Sequence, residues 1–102
     1  MMFIYNITSK VDHAVLDEWL QWQKEIYIPG AMETGFFYEH RFYQLLEHDD
    51  EDGKTFVVQF LAKSRNDCDK YLQSIAPFLN KKSFEKWGDY VVYFQTLLQN
   101  VD

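Results

Sequence analysis

Three histidines, His13, His40 and His48, and a lone Cys68 are the side chains with the widest chemical repertoire in this sequence. Their spacing denies them a shared metal. No His-x-x-x-His or Cys-x-x-Cys pair occurs, the spacings that place two ligands on one side of a helix or turn. We therefore expect neither a metal nor a cofactor. Asp49, Asp50, Glu51 and Asp52 beside His48 would attract a cation, but they lack the spaced ligands and terminal Glu of a calcium loop. A solvated turn of like charges accounts for them better. Cys68 falls near a helix start, which favours a thiolate, yet Asp67 and Asp69 flank it and oppose one. It reads as a core residue. Gly-x-Ser-x-Gly, phosphate-loop and dinucleotide fingerprints are all missing, and four glycines leave little for one.

Composition narrows the class further. The 102 residues carry 10 Lys+Arg against 16 Asp+Glu, a net charge of −6, and 19% are aromatic. So many aromatics exclude a disordered chain, and an unpaired Cys68 excludes a disulfide scaffold. The length suits one domain over residues 1–102. No apolar run reaches the roughly 18 residues of a membrane helix. The opening Met1-Met2-Phe3-Ile4-Tyr5-Asn6 lacks the basic region and cleavage site of a signal peptide. A small, acidic, soluble cytoplasmic protein is the expectation.

Four stretches read as strands: Phe3 to Lys10, Phe36 to Leu46, Lys54 to Ala62 and Asp89 to Gln99. Helical patterns run from Asp12 to Ile28, where Pro29-Gly30 interrupts, and from Arg65 to Trp87. Ser64 with Asp67 has capping spacing, Pro77 predicts a kink or break, and Gly88 suits a C-cap. Phe78 continues the apolar stripe of Cys68, Tyr71, Leu72 and Ile75, and Phe84 and Trp87 pack beyond it. The order β-α-β-β-α-β predicts an α+β, ferredoxin-like fold, a four-stranded antiparallel sheet with two helices on one face. RNA-recognition domains share that order, but Lys54-Thr55-Phe56-Val57-Val58-Gln59-Phe60 lacks their glycine positions and the net charge opposes phosphate. We expect no nucleic-acid partner.

Strand parity assigns the two faces. Tyr5, His40, Phe42, Phe56, Val58, Phe60, Val92, Phe94, Thr96 and Leu98 form the set expected beneath the helices. The opposite set holds Asn6, Arg41, Tyr43, Gln59, Tyr93 and Gln95 among Ile4, Val57, Leu61, Val91 and Leu97. A face left to water would alternate more cleanly, so this one is expected to meet the sheet of an identical subunit. Arg41 and Glu39 lie two residues apart there, spaced for an ion pair or a carboxylate clamp. On the first helix, Gln23 falls inside an apolar arc with Trp19, Trp22, Ile26 and Tyr27, where it needs a partner: backbone or a ligand. Tyr5, Trp19, Gln23 and His40 are accordingly the candidates for a ligand-binding cleft between helix and sheet.

Three segments carry a resemblance: Phe3-Ile4-Tyr5-Asn6-Ile7-Thr8, Trp19-Leu20-Gln21-Trp22 with Tyr27-Ile28-Pro29, and Phe94-Gln95-Thr96-Leu97-Leu98. Through them nearly the whole chain resembles an uncharacterised bacterial family of about this length, a domain of unknown function, similar to the dimeric α/β-barrel superfamily. That resemblance implies a homodimer whose two sheets close into a barrel. It also brings in antibiotic-biosynthesis-type monooxygenases and haem-degrading enzymes. The latter use a first-strand Asn, matched loosely by Asn6, and a Trp, for which Trp87 stands, but no His follows His48 to ligate haem. The resulting expectation is a homodimeric module of unknown biochemical function that binds a small molecule or a protein partner. The alternative is a cofactor-independent monooxygenase- or isomerase-like enzyme using the helix–sheet cleft.

Overall fold

Aromatic and β-branched residues alternate with polar ones from Phe3 onward, and this stretch forms β1 (Phe3–Asp12). The remaining strands are β2 (Glu39–Gln44), β3 (Gly53–Ala62) and β4 (Val91–Gln99). The structure, a computed structural model, describes residues 1–46 and 49–102, so His48 of the acidic loop lies outside the described residues. The strands line up as β2-β3-β1-β4, each neighbour antiparallel to the next. This is the ferredoxin-like β-α-β-β-α-β sheet that the sequence predicts.

The first crossover begins as expected. Asp12 accepts a hydrogen bond from the Ala14 N–H at 2.8 Å, opening a short 3₁₀ turn that leads into α1 (Leu16–Trp22). Pro29-Gly30 does not end the helix, which departs from the sequence expectation. A π-helical turn (Gln23–Tyr27) intervenes, with the Ile28 N–H bonded to the Gln23 carbonyl five residues back, and α2 (Ile28–Glu33) carries on through the proline. A proline ring collides with the carbonyl four residues before it, and the wider turn relieves that collision. The same turn resets the helical phase. Gln23 and Tyr27 are buried, as the apolar arc predicts, while Ile26 of the same arc turns out and is 55% exposed.

In the second crossover Ser64 Oγ accepts from the Asp67 N–H at 3.1 Å and caps α3 (Arg65–Ser74). The chain breaks at Ile75, and Pro77 sits in the first turn of α4 (Ala76–Trp87), where a missing N–H costs nothing. Gly88 closes α4 with a φ of 55°, a conformation that favours glycine. The break also resets the apolar stripe. Phe78 and Phe84, expected to pack, face outward, whereas Trp87 is buried.

One side of the sheet carries the core. Tyr5, Ile7, Val58 and Phe60 pack against Tyr27, Ile28, Ala31, Cys68 and Tyr71 from the helices, with Phe37 closing the end. A second cluster joins Val11, Trp19, Phe56 and Trp87. Among the described residues, no helix is long and apolar enough to cross a membrane.

Candidate functional site

The helix–sheet interior is nearly filled. Ser9, Trp19, Gln23, Tyr27, Asn80, Ser83 and Tyr93 surround a cavity of about 20 Å³, room for about one water. Among the described residues Trp19 Nε1 is buried without a hydrogen-bond partner, and Gln23 is buried against the same space. Of the four residues expected to form a cleft, only Trp19 and Gln23 come together. Tyr5 is 1% exposed and is wedged among the rings of Phe37, Phe60 and Tyr71, at centroid distances of 6.5, 6.3 and 5.6 Å. His40 is exposed and faces a separate groove beside Lys24 and Met32. Aromatic packing has replaced the expected cleft.

Burial dominates the chemistry of the groups inside. It pushes the Tyr71 hydroxyl up to about 12. Burial also raises Tyr5, and the nearby Tyr71 hydroxyl adds to the effect; Asn80 approaches the Tyr5 hydroxyl without completing a bond. Tyr27 rises for the same first reason, with Tyr71 and Tyr5 as neighbours. These phenols stay protonated at neutral pH. Burial raises the Cys68 thiol too, helped by Asp69 and Asp67, so the core reading accounts for it. Among the described residues, no three His, Cys, Asp or Glu side chains gather as a metal site would require.

The opposite face of the sheet has a regular layout. Cross-strand register puts Arg41, Gln59, Asn6 and Thr96 in one transverse row. Within it, Gln59 Nε2 donates to Asn6 Oδ1 at 3.3 Å and Asn6 Nδ2 donates to Thr96 Oγ1 at 3.2 Å. Arg41 reaches along its own strand to Glu39 at 3.2 Å. Mainly apolar rows bracket this polar one: Glu39, Leu61, Ile4 and Leu98 on one side, Tyr43, Val57, Thr8 and Phe94 on the other. Val92 and Phe94 are 67% and 61% exposed, large values for residues of a regular strand.

Register corrects part of the expected face. Asn6, Arg41, Tyr43 and Gln59 do share it. Tyr93 pairs with Ser9 and Gln95 with Ile7, so both point to the helix side. In their place stand Val92, Phe94, Thr96 and Leu98, which parity sets beneath the helices. The β4 sequence is apolar in both phases, Val91-Val92 and Leu97-Leu98, so alternation cannot choose between them. Asn6 and Trp87 lie on opposite sides of the sheet, the latter packed with Val11 and Phe56. They do not form one haem pocket.

Two features escape a reading of the sequence. Thr96 completes the polar row, but strand parity carries it with the rest of β4 to the wrong face. Helical phase puts Lys24 among the solvent-facing residues of the first helix, yet it lines a groove with Ile28, Pro29, Met32, His40 and Phe42. It is exposed there, as its phase predicts, and the groove itself forms only once β2 is placed beside the helix.

Solved structures with this architecture are numerous and distant in sequence. A dimeric ferredoxin-like protein from an uncultured marine organism superposes with a TM-score of 0.75 at 8% identity, covering 99% of this chain and 96% of the other. An ethyl tert-butyl ether (EthD) family protein from Bacillus halodurans gives 0.72 at 7% identity, covering 99% and 100%. A mutant form of SnoaB, a cofactor-independent oxygenase from Streptomyces nogalater, gives 0.61 at 11% identity, covering 98% and 94%. At such identities the likeness is one of fold. No curated protein matches the sequence. A family profile does match, from residue 2 to residue 101, and the chain belongs to the family described as the domain of unknown function DUF4286.

Proposed function

We propose that this chain is a homodimeric α/β-barrel module, closed by the meeting of two open sheet faces, and that its task is binding a small molecule or a protein partner. One observation carries the reading: the hydrogen-bonded row Gln59–Asn6–Thr96 is flanked by Tyr43, Val92, Phe94 and Leu98, all exposed in a single copy. A row whose hydrogen bonds are satisfied within its own sheet can be covered at little cost, while the apolar rows gain from being covered. The description of one structural neighbour as a dimeric ferredoxin-like protein supports the same arrangement. A reducing, cytoplasmic setting suits the lone buried thiol of Cys68.

Catalysis in the helix–sheet cleft has less support, because the space there holds about one water rather than a substrate. The deciding experiment is native mass spectrometry of the purified protein. A species near twice 12.3 kDa is expected. A strict monomer at micromolar concentration overturns the barrel.

A further inference from the structure

On the helix-bearing side of the sheet, β2 forms one edge and stands apart from the α1–α2 run above it. The gap is an open groove of about 520 Å³ lined by Lys24, Ile28, Pro29, Met32, His40 and Phe42. It continues into a second hollow of about 280 Å³ that shares Lys24 and Phe42 and adds Leu20, Gln44, Phe56 and, at its outer end, Tyr43. Volumes of this order suit a small molecule, for which sites run to roughly 300–1,000 Å³. The floor is apolar, with Ile28 buried and Phe42 half-buried.

Charge gives the groove a direction. The chain carries a net −6, yet among the described residues neither hollow has a carboxylate in its lining. Lys24 lines both, and among the described residues it makes no ion pair. His40 stands across the first hollow as a second nitrogen-bearing group. An unpaired ammonium over an apolar trough complements a molecule with an apolar body and an anionic head.

We propose that this groove binds an apolar carboxylate, with its chain along Ile28, Met32 and Phe42 and its headgroup at the Lys24 ammonium. A Lys ammonium is a compact point charge on a flexible stem, suited to holding such a head without demanding one planar geometry. His40 and Phe42 point away from Arg41 and Tyr43 of the open face. The first hollow, which no residue of the open face lines, therefore stands whether or not the two sheets associate, and its failure would leave the dimer reading untouched.

Decanoate and decanol are the probes, since they share an apolar chain and differ in the charge of the head. Each is titrated into ¹⁵N-labelled protein at neutral pH and low salt while amide shifts are followed. Decanoate is expected to move the amides of Lys24, Ile28, Met32, His40 and Phe42 in a saturable way. Lys24→Glu should weaken decanoate at least about tenfold and leave decanol unchanged, and Lys24→Arg should retain binding. Lys24 is exposed, so neither variant disturbs the core. Equal binding of acid and alcohol overturns the proposal. So does insensitivity to Lys24→Glu, the absence of shifts, or shifts that fall on Val92 and Phe94 instead.

Discussion

Gln59 donates through its Nε2 to Asn6 Oδ1 across the β1–β3 pair, and Asn6 passes the chain on to Thr96 across β1–β4. Asn6 is buried even in a single copy, so it anchors three strands from the middle of the sheet. Asn6→Ala leaves the Gln59 amide and the Thr96 hydroxyl without their shared partner. It should cost about 1–2 kcal/mol, read as a lower urea midpoint with an unchanged slope. A midpoint equal to that of the parent protein would show that the row contributes nothing.

Phe94 and Gln95 are adjacent in β4 and lie on opposite sides of the sheet. If the open faces meet, Phe94→Asp buries a charge in an apolar seam and forfeits the burial of a ring, a loss of about 3 kcal/mol, or roughly 100-fold in dimer Kd. Gln95→Asp should leave the dimer intact. Sedimentation equilibrium on both variants, with circular dichroism as a check on folding, separates the two outcomes. Dissociation by Gln95→Asp and not by Phe94→Asp would mean that the helix side makes the contact.

Much of this fold is legible in the sequence because local signals agree with one another. Ser64 and Asp67 announce a cap that forms, and the Phe56, Val58, Phe60 alternation names the buried side of β3. β4 is legible as a strand but not in its phase, since a run such as Val91-Val92-Tyr93-Phe94 offers apolar side chains to both faces. A strand expected to be covered on both sides loses the alternation that reveals its orientation. The candidate cleft fails for a different reason. Periodicity places Gln23 and Tyr27 on the buried side but cannot register the π turn, after which Ile26, expected in the same arc, faces outward. Small phase errors in a helix displace whole side chains, and a site assembled from several elements inherits all of them.

Two glycines should respond in opposite directions to the same added methyl. At Gly53 a Cβ would overlap the backbone carbonyl of Val11, which cannot move without disturbing the β1–β3 ladder. Gly53→Ala should destabilise by about 1–3 kcal/mol. At Gly30, inside α2, a Cβ meets nothing within 4 Å, and alanine is the better helix former. Gly30→Ala should add about 0.5–1 kcal/mol. Thermal melts of both, side by side, test the close approach at Gly53 against an internal control. A neutral Gly53→Ala would mean that the strand ends separate freely.

The buried phenols make the protein sensitive to alkali. Tyr71 ionises at about 12 when folded and at about 10 when unfolded, because burial disfavours the phenolate. A folded-state value raised in this way leaves stability complete below about pH 10. Above that, the unfolded chain releases its proton first, and stability falls by about 1.4 kcal/mol per pH unit for this one group until the folded value is reached. Tyr71→Phe retains the ring and removes a buried hydroxyl that lies near Tyr27 but completes no hydrogen bond among the described residues. Its stability at pH 8 should therefore equal or slightly exceed that of the parent protein. At pH 11 the variant should be ahead by about a further 1 kcal/mol, since it has lost this titration while sharing every other one. Urea midpoints at the two pH values provide the comparison. If the two proteins decline in parallel between pH 8 and pH 11, the Tyr71 hydroxyl is not held in a low-polarity interior, and the close packing of the helix–sheet core is wrong at that point.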